Sequence, residues 1–290
     1  MTVKMRSWLF APGDSTKKMG KAIASEADIA LLDLEDSVVP DQKAAARELV
    51  VQALNEAPDR ERVWVRVNPL SGEWTEDDLD AIVPAAPGGI FLPKAEGGHD
   101  VERLDVMLTE REMSAGLTKG SIKVAALVTE TAAAMFTTGT YAGTPRLVAM
   151  SWGAEDLSSE LGASEQRGPD GEYTHVYEMA RSLCLLGAVK AGVAPIETVQ
   201  PEFRDLDALE TRARRVRAQG FRGMLAIHPA QIAAINAAFT PVEHVAVRRQ
   251  PHGRCGVDER QHARPAASGI GAKAAGRSGL SIAQSTLRCA

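Results

Sequence analysis

The sequence predicts an α/β protein whose fold is a closed (β/α)8 TIM barrel in a single domain over residues 1–247, with an atypical C-terminal tail over residues 248–290. Eight short apolar runs alternate with longer stretches of helical character, which is the pattern of βαβ units and a parallel sheet. Eight such units in about 250 residues suit a closed barrel better than an open sheet. No G-x-G-x-x-G motif follows the first run, which counts against a dinucleotide-binding fold.

The predicted strands are rich in aliphatic and β-branched residues and occupy residues 8–11, 29–34, 63–68, 89–93, 124–129, 147–151, 194–199 and 224–227. Amphipathic helix candidates lie between them at residues 44–55, 79–83, 100–115, 174–191 and 206–219. Nearly every predicted strand is followed by a polar cluster that contains a carboxylate or a cation. Because the active site of such a barrel forms at the C-terminal ends of its strands, these side chains are expected to converge on one mouth.

Composition limits the classes of partner that the chain can have. It is 44% hydrophobic and 24% charged with a formal net charge of −5, so it lacks the concentrated positive charge that nucleic-acid binding needs. The sequence begins without a signal-peptide-like apolar stretch, and no apolar run approaches the roughly 18 residues of a membrane span, so no membrane partner is expected. Its three scattered cysteines predict neither a disulfide framework nor a zinc site, and they favour a cytoplasmic setting.

Two carboxylates at neighbouring strand ends indicate a metal site. Glu130 follows the fifth predicted strand and Asp156 follows the sixth, and no histidine or cysteine cluster accompanies them. Such a pair suits Mg²⁺, which takes about one or two protein carboxylates and keeps several waters that substrate oxygens can replace. The alternative is that each acid caps the helix after it, since Ser158 and Ser159 add further polar residues typical of a helix start.

Arg66 is a cation within an otherwise apolar predicted strand. Alternation places Trp64, Arg66 and Asn68 on one face of that strand and the valines on the other. A buried arginine needs an anionic partner, and its planar guanidinium suits a bidentate carboxylate. That carboxylate belongs either to a substrate or, in a structural ion pair, to Glu35 or Asp36 on the neighbouring strand.

Three other residues are candidates for chemistry at the mouth. Glu35 is a candidate catalytic carboxylate, and it is one of three acids in residues 33–36 (Asp33, Glu35 and Asp36), one of which is expected to support Arg66 or to order a metal-bound water. Lys94 follows the fourth predicted strand and is either a Schiff-base nucleophile, which requires a lowered pKa, or a partner in a structural ion pair. His228 precedes a proline, and a lone histidine in that position favours a structural role.

Seven segments of the chain occur together, in this order, in one known family. They lie within about residues 5–245 and read RSWLFAPGD (6–14), LLDLEDSV (31–38), VRVN (65–68), LPKAE (92–96), ETA (130–132), WGAEDL (152–157) and AIHPAQI (226–232). In these segments the chain resembles the citrate lyase β-subunit-like proteins of the HpcH/HpaI aldolase superfamily. The resemblance implies a TIM barrel, a Mg²⁺ cofactor and a carbon–carbon lyase whose substrate is an acyl-CoA or a related small carboxylic acid.

The resemblance also implies roles for individual residues. Arg66 would bind the carboxylate or the carbonyl oxygen of the substrate. Glu130 and Asp156 would hold Mg²⁺, and Glu130 would also face the substrate. The coenzyme A part of the substrate would lie against the loop of residues 12–18, in which the candidate contacts are Pro12, Gly13 and Lys17.

Relatives in this family obtain the base that removes the substrate's hydroxyl proton from a C-terminal segment. That segment covers the barrel mouth of a neighbouring subunit, so a homo-oligomer, a trimer or a hexamer, is expected. Glu197 stands where relatives commonly have aspartate. A stronger departure begins at about Val247, after which the sequence has no apolar periodicity and a composition typical of disorder.

A shift of reading frame accounts for this tail. Codons can be chosen for residues 257–269 that, read one base later, encode Ser-Thr-Ser-Gly-Ser-Met-Leu-Asp-Arg-Pro-His-Leu, which resembles the family's Met-x-Asp-x-Pro-His segment. The hypothesis is that the tail is a frameshifted lid and that the lid carboxylate is missing.

Two alternatives to a CoA-thioester lyase stay open. They are a CoA-independent 2-keto acid aldolase and a catalytically impaired paralogue that binds acyl-CoA without turnover.

Overall fold

A computed structural model describes residues 4–240, so the predicted boundary between residues 247 and 248 and the tail after it lie outside the described residues. Eight parallel strands close into a barrel in sequence order, and the last strand pairs with the first. The predicted (β/α)8 barrel is therefore confirmed. The strands are β1 (Ser7–Pro12), β2 (Ile29–Asp33), β3 (Val63–Arg66), β4 (Gly89–Leu92), β5 (Lys123–Leu127), β6 (Leu147–Ser151), β7 (Ala194–Glu197) and β8 (Gly223–Ala226).

The α-helices of residues 4–240 pack outside the barrel. The connection between β5 and β6 carries only the short 3₁₀ helix Ala134–Phe136, whereas two α-helices follow β6. None of the described helices is both long and apolar enough to cross a membrane. The helices are α1 (Thr16–Ile23), α2 (Lys43–Glu56), α3 (Thr75–Ile82), α4 (Gly98–Ser114), α5 (Ala154–Leu161), α6 (His175–Ala191), α7 (Leu206–Gln219) and α8 (Ile232–Phe239).

Several strands end earlier than the sequence predicts, and this changes where their last polar residues point. β3 ends at Arg66 and β7 at Glu197, each two residues short of the prediction. Beyond β3, the Asn68 side chain accepts a hydrogen bond from Lys43 Nζ at 2.8 Å and donates one to Asp78 at 2.6 Å. The placement of Asn68 on the same face as Arg66 was therefore wrong, because strand alternation no longer applies after the strand has ended.

Two apolar layers stabilise the barrel. Trp8 and Trp64 fill its interior, with ring centroids 5.0 Å apart and planes inclined at 70°. Gly89 makes this packing possible, because a Cβ at that position would lie 2.5 Å from the Trp64 ring. Val63 and Val65 point the other way, into the layer between the strands and the helices, as strand alternation predicts.

A buried ion pair fastens α4 to the segment before β6. The fully buried carboxylate of Glu112 accepts hydrogen bonds from Arg146 at 2.8 Å through each of its oxygens. It also accepts hydrogen bonds from the backbone N–H groups of Gly120 and Ile122 at 2.8 and 2.9 Å. Burial by itself would raise the pKa of Glu112, but these donors outweigh it and lower the pKa to about 2.

Glu112→Gln is expected to lower the free energy of unfolding by about 3 kcal/mol, because Arg146 keeps only Asp105 as a charged partner. The folded-state pKa is depressed, so this stabilisation is present above the unfolded value of about 4.3 and is lost as pH falls towards 2. Urea denaturation at several pH values measures both effects. The exposed neighbour Glu110 supplies the control Glu110→Gln, which is expected to change stability by less than about 0.5 kcal/mol.

Candidate active site

The carboxyl ends of the strands surround a cavity of about 420 Å³. Arg66, Glu130 and Asp156, which come from three separate segments of the chain, all line it. The charged residues that line the cavity are Asp33, Asp36, Arg66, Glu130, Glu155 and Asp156. The large apolar residues that line it are Phe10, Leu127, Trp152, Val199, Leu225 and Ile227.

Arg66, the last residue of β3, is held by acids of the neighbouring strand. Asp33 lies opposite it in the β2–β3 pairing, and the two Asp33 oxygens accept hydrogen bonds from Arg66 Nε and Nη2 at 2.6 and 2.7 Å. Arg66 Nη1 lies 2.7 Å from Glu35 and 3.8 Å from Asp36. The structural ion pair expected between Arg66 and Glu35 is therefore present, and Asp33 adds a bidentate pair beside it. Asp33 engages two of the five N–H groups of the guanidinium, which leaves donors for a ligand.

The sequence points to the three acids of residues 33–36 as candidates to support Arg66, and it does not single out Asp33 among them. Asp33 and Arg66 are the last residues of neighbouring parallel strands, and residues at the same level of such strands face each other. Burial alone would raise the pKa of Asp33, but the charge and hydrogen bonds of Arg66 hold it below its usual range. Asp33 is therefore an anion that fixes the Arg66 side chain at the cavity.

Glu35 is a buried carboxylate between two cations. Arg66 lies on one side of it and the Lys94 ammonium group on the other. Burial outweighs both cations and raises the pKa of Glu35. Lys43 fixes the backbone beneath it, because its Nζ donates to the carbonyl oxygens of Leu34 and Glu35 at 2.7 and 2.8 Å. Glu35 is not among the residues that line the cavity, so it reaches the site through Arg66 and Lys94.

Lys94 connects the acids on opposite sides of the site. Its backbone N–H donates to Glu130 Oε2 at 2.5 Å, while its Nζ donates to Glu35 and lies 3.0 Å from Asp156 Oδ1. Burial alone would lower the pKa of Lys94, but the bonds to Glu35 and Asp156 outweigh it and raise the pKa. A Schiff-base lysine needs a lowered pKa, so these contacts favour the ion-pair interpretation over the nucleophile.

The environments of Glu130 and Asp156 are unlike those of helix caps. Glu130 is 2% exposed, and burial together with the negative charges of Asp156 and Glu35 raises its pKa well above the usual range. Asp156 lies in the first turn of α5, but the N-cap of that helix is Gly153 and no side chain caps it. The helix-cap alternative therefore lacks support at Asp156.

Glu130 and Asp156 offer carboxylate oxygens of the kind that a hard divalent cation takes as ligands. A Cβ added at Gly153 would lie 2.8 Å from Glu130 Oε1, so glycine is what lets α5 begin this close to the carboxylate. In residues 4–240 no group of three or more histidine, cysteine or acidic side chains is arranged to hold a metal. Two carboxylates are nevertheless enough for Mg²⁺, which fills the rest of its octahedron with water and substrate oxygens. A bound cation would also relieve the repulsion between Glu130 and Asp156.

The three residues predicted to lie near coenzyme A occupy different surroundings. Pro12 lines the cavity. Gly13 is buried against the end of β2, where its N–H donates to the carbonyl oxygen of Asp33 at 2.8 Å and a Cβ would lie 2.6 Å from that oxygen. Lys17 is exposed on the first turn of α1 and does not line the cavity.

Two further residues of the strand ends have structural contacts. His228 accepts a hydrogen bond from the Ala230 N–H at 3.2 Å and stacks on Phe203 at 4.4 Å, which agrees with its predicted structural role. Glu197 is fully buried and accepts hydrogen bonds from Trp152 Nε1 at 3.2 Å and Arg212 at 2.6 Å. The Trp152 ring lines the cavity, so Glu197 stabilises the wall of the site.

Comparison with known proteins identifies the class to which this barrel belongs. The family model described as HpcH/HpaI aldolase/citrate lyase matches residues 6–229, so the chain belongs to this family of carbon–carbon lyases. It is 37% identical over 235 residues to the citrate lyase subunit beta-like protein of Mycobacterium tuberculosis, covering 81% of this chain and 78% of that protein. It is 34% identical over 238 residues to a (3S)-malyl-CoA thioesterase of Cereibacter sphaeroides, covering 81% of this chain and 77% of that protein.

Solved structures agree with this assignment. The citrate lyase beta subunit of M. tuberculosis complexed with oxaloacetate and magnesium matches with a TM-score of 0.70 and 36% identity, over 82% of this chain and 98% of that one. A complex of CitE from the same organism with magnesium, acetoacetate and coenzyme A matches with a TM-score of 0.69 and 35% identity, over 83% and 82%. The similarity extends over the barrel in each case.

Proposed function

We propose that this protein is a Mg²⁺-dependent carbon–carbon lyase or synthase that acts on a β-hydroxyacyl thioester of coenzyme A of the citryl, malyl or citramalyl type. The observation that carries the proposal is the position of Arg66, Glu130 and Asp156 around one cavity at the carboxyl ends of the strands. The names of relatives support it, since they include a (3S)-malyl-CoA thioesterase and an L-malyl-CoA/beta-methylmalyl-CoA lyase.

The reaction requires positive charge around one developing oxygen. Breaking the bond between the hydroxyl-bearing carbon and the carbon next to the thioester leaves an enolate, with negative charge on the thioester oxygen. Mg²⁺ held by Glu130 and Asp156 would supply much of the opposing charge when bound. Arg66 lines the same cavity and keeps N–H groups beyond those that Asp33 engages, so it would donate to this oxygen or to a substrate carboxylate.

The start of α5 offers a second anchor for an anionic substrate. Ala154 and Glu155 line the cavity, and the N-cap residue Gly153 has no side chain that could cap the helix, which leaves the N–H groups of its first turn for a substrate. These N–H groups lie at the positive end of the helix dipole, where anions bind. Phe10 and Leu225 are apolar residues of the cavity wall. They would reduce the access of water to the substrate and so strengthen its polar contacts with the protein.

We assign Glu35 the role of holding Arg66 and Lys94 in place, since it contacts both and does not line the cavity.

The coenzyme A part of the substrate is proposed to bind at the loop after β1. Pro12 lines the cavity, Gly13 allows the loop to lie close to β2, and the exposed Lys17 supplies a cation for phosphate groups.

The proposal includes a cytoplasmic homo-oligomer, a trimer or a hexamer. The homo-oligomer is supported by exposed apolar side chains on the outer surface, of which Phe136 is 91%, Leu186 65% and Val189 66% exposed. Lys190 Nζ donates to the carbonyl oxygen of Gly139, so the segment after Phe136 lies against the end of α6. Apolar surface of this kind is typical of a protein–protein contact.

Assays with citramalyl-CoA, malyl-CoA and citryl-CoA in the presence of Mg²⁺ test the proposal. Mg²⁺-dependent cleavage of the carbon–carbon bond in at least one of these acyl-CoA substrates is the expected result. Pyruvate with an aldehyde serves as the contrasting substrate pair, because its turnover without carbon–carbon cleavage of any acyl-CoA would replace the proposal with a CoA-independent aldolase. Binding of acyl-CoA without turnover of either kind would favour the impaired paralogue.

Glu130→Gln and Asp156→Asn are each expected to abolish measurable Mg²⁺ binding and leave the fold intact, because each removes one of only two proposed carboxylate ligands. Isothermal calorimetry measures the affinity and circular dichroism the fold. Glu155→Gln is the matched control, since Glu155 lines the same cavity but is hydrogen-bonded to Gln166 at 2.7 Å and is not a proposed ligand. Unchanged Mg²⁺ affinity in both ligand variants would contradict the metal site.

A further inference from the structure

We propose that Lys94 is an internal cation that competes with the divalent metal for Asp156 and thereby limits the metal affinity of the site. The inference rests on the proposed function, because it takes Glu130 and Asp156 as the metal ligands. It gives Lys94 a positioning role and no covalent step.

The contacts of Lys94 place it among all the acids that surround the proposed metal. Its Nζ lies 3.0 Å from Asp156 Oδ1, is hydrogen-bonded to Glu35 and lies 3.8 Å from Asp36. Its backbone N–H donates to Glu130 Oε2 at 2.5 Å. In residues 4–240, Lys94 is the only lysine or arginine that forms an ion pair with Asp156. One residue therefore holds both proposed ligands, Glu130 through its backbone and Asp156 through its charge.

The backbone of Lys94 adopts an unusual conformation that sets the direction of its N–H group. Its φ is +49°, in the left-handed region that a side chain other than glycine or asparagine adopts at a cost. The next residue, Ala95, donates to the carbonyl oxygen of Leu127 at 3.1 Å, which fixes this bend against the end of β5. This left-handed backbone turns the Lys94 N–H towards Glu130, a residue that lies after β5.

Metal binding at Asp156 has to overcome this ammonium group. A metal ion held by Asp156 would either displace Lys94 Nζ from Oδ1 or share the carboxylate with it, and in both cases the two positive charges would repel each other within a partly buried site. Glu35 remains as a partner for the displaced ammonium group, so Lys94 can leave Asp156 without becoming an unpaired charge. The affinity for metal thus depends on the balance between Asp156 and Glu35 as partners of Lys94.

Lys94→Met tests the inference because it removes the charge and keeps the length of the side chain. The dissociation constant for Mg²⁺, measured by calorimetry, is expected to fall by at least about tenfold. The melting temperature in the presence of EDTA is expected to fall, since Glu35 and Asp156 lose their shared cation, and the rise on adding Mg²⁺ is expected to be larger than in the wild type. Lys119→Met, which removes an exposed cation that does not line the cavity, is the matched control and is expected to change none of these quantities.

Lys94→Asn is a second variant that removes the charge but suits the left-handed backbone, so it guards against misfolding of the methionine variant. Glu35→Gln adds a test of the competition itself. It leaves the ammonium group with Asp156 as its main partner, so it is expected to weaken Mg²⁺ binding more in the wild-type background than in Lys94→Met. Non-additivity of this kind reports direct coupling between the two residues.

The outcomes separate this inference from the proposed function. If the wild type binds Mg²⁺ and both Lys94 variants bind it equally or more weakly, competition by Lys94 is wrong and the metal site stands. Equal effects of Glu35→Gln in the two backgrounds would contradict it as well. If neither the wild type nor the variants bind Mg²⁺, the metal site of the proposed function is wrong and the inference falls with it.

Discussion

Arg66→Met is expected to slow carbon–carbon cleavage of the acyl-CoA substrate by a factor of about 10²–10³, which is the usual effect of removing one donor to a developing oxyanion. Methionine fills much of the space of the arginine stem but offers no N–H group. The buried acids Asp33 and Glu35 would lose their shared cation at the same time. The free energy of unfolding is therefore expected to fall as well, by about 3–5 kcal/mol.

Arg66→Lys separates the two effects, because it keeps the positive charge but loses the planar pair of donors that Asp33 engages. It is expected to recover more of the stability than of the rate. Steady-state kinetics at saturating Mg²⁺ and urea denaturation on the same preparations measure both. A methionine variant that is destabilised yet cleaves the carbon–carbon bond of the substrate at the wild-type rate would show that Arg66 serves only as the structural partner of Asp33.

The barrel could be predicted because its strands and longer helices have strong local patterns. Runs of aliphatic residues bounded by polar clusters locate all eight strands, and the long helices α4, α6 and α7 follow amphipathic stretches of 14 residues or more. No bounds are predicted for the helices α1, α5 and α8, and the helix predicted at residues 79–83 lies at Thr75–Ile82 (α3). Each of these four helices has only eight residues, about two turns, which is too short for an apolar period to mark its bounds against the surrounding loop.

The sequence predicts which strand ends contribute residues to the site, but it does not predict which of these residues contact one another. Polar residues after successive strands had to meet at one mouth, and this places Arg66, Glu130 and Asp156 around the same cavity. Which acid pairs with Arg66 depends on the register between β2 and β3, which brings Asp33 opposite it. The role of Lys94 depends on a left-handed backbone at a non-glycine residue, for which the sequence carries no signal.

Restoring the alternative reading frame of the tail is expected to raise turnover by at least about a hundredfold, which is a typical contribution of a general base. The tail lies outside the described residues, so the argument comes from the cavity. Its buried acids are already engaged, Asp33 by Arg66 and Glu35 by Arg66 and Lys94. Glu130 and Asp156 are the proposed metal ligands, which leaves the proton of the substrate hydroxyl without a dedicated acceptor among them.

The strongest competitor for this role in residues 4–240 is Asp36, whose side chain is 57% exposed at the cavity and lies 3.8 Å from both Arg66 and Lys94. Three kinetic comparisons decide between the tail and Asp36. The first protein has the sequence as it stands, and the second carries the restored Met-Leu-Asp-Arg-Pro-His segment. The third is the restored protein in which the aspartate of that segment is changed to asparagine. If the restored aspartate is the base, only the second chain reaches an ordinary enzymatic rate. If the first chain is already as fast as the second, and Asp36→Asn abolishes its activity, the base belongs to the barrel and the frameshifted-lid hypothesis is wrong.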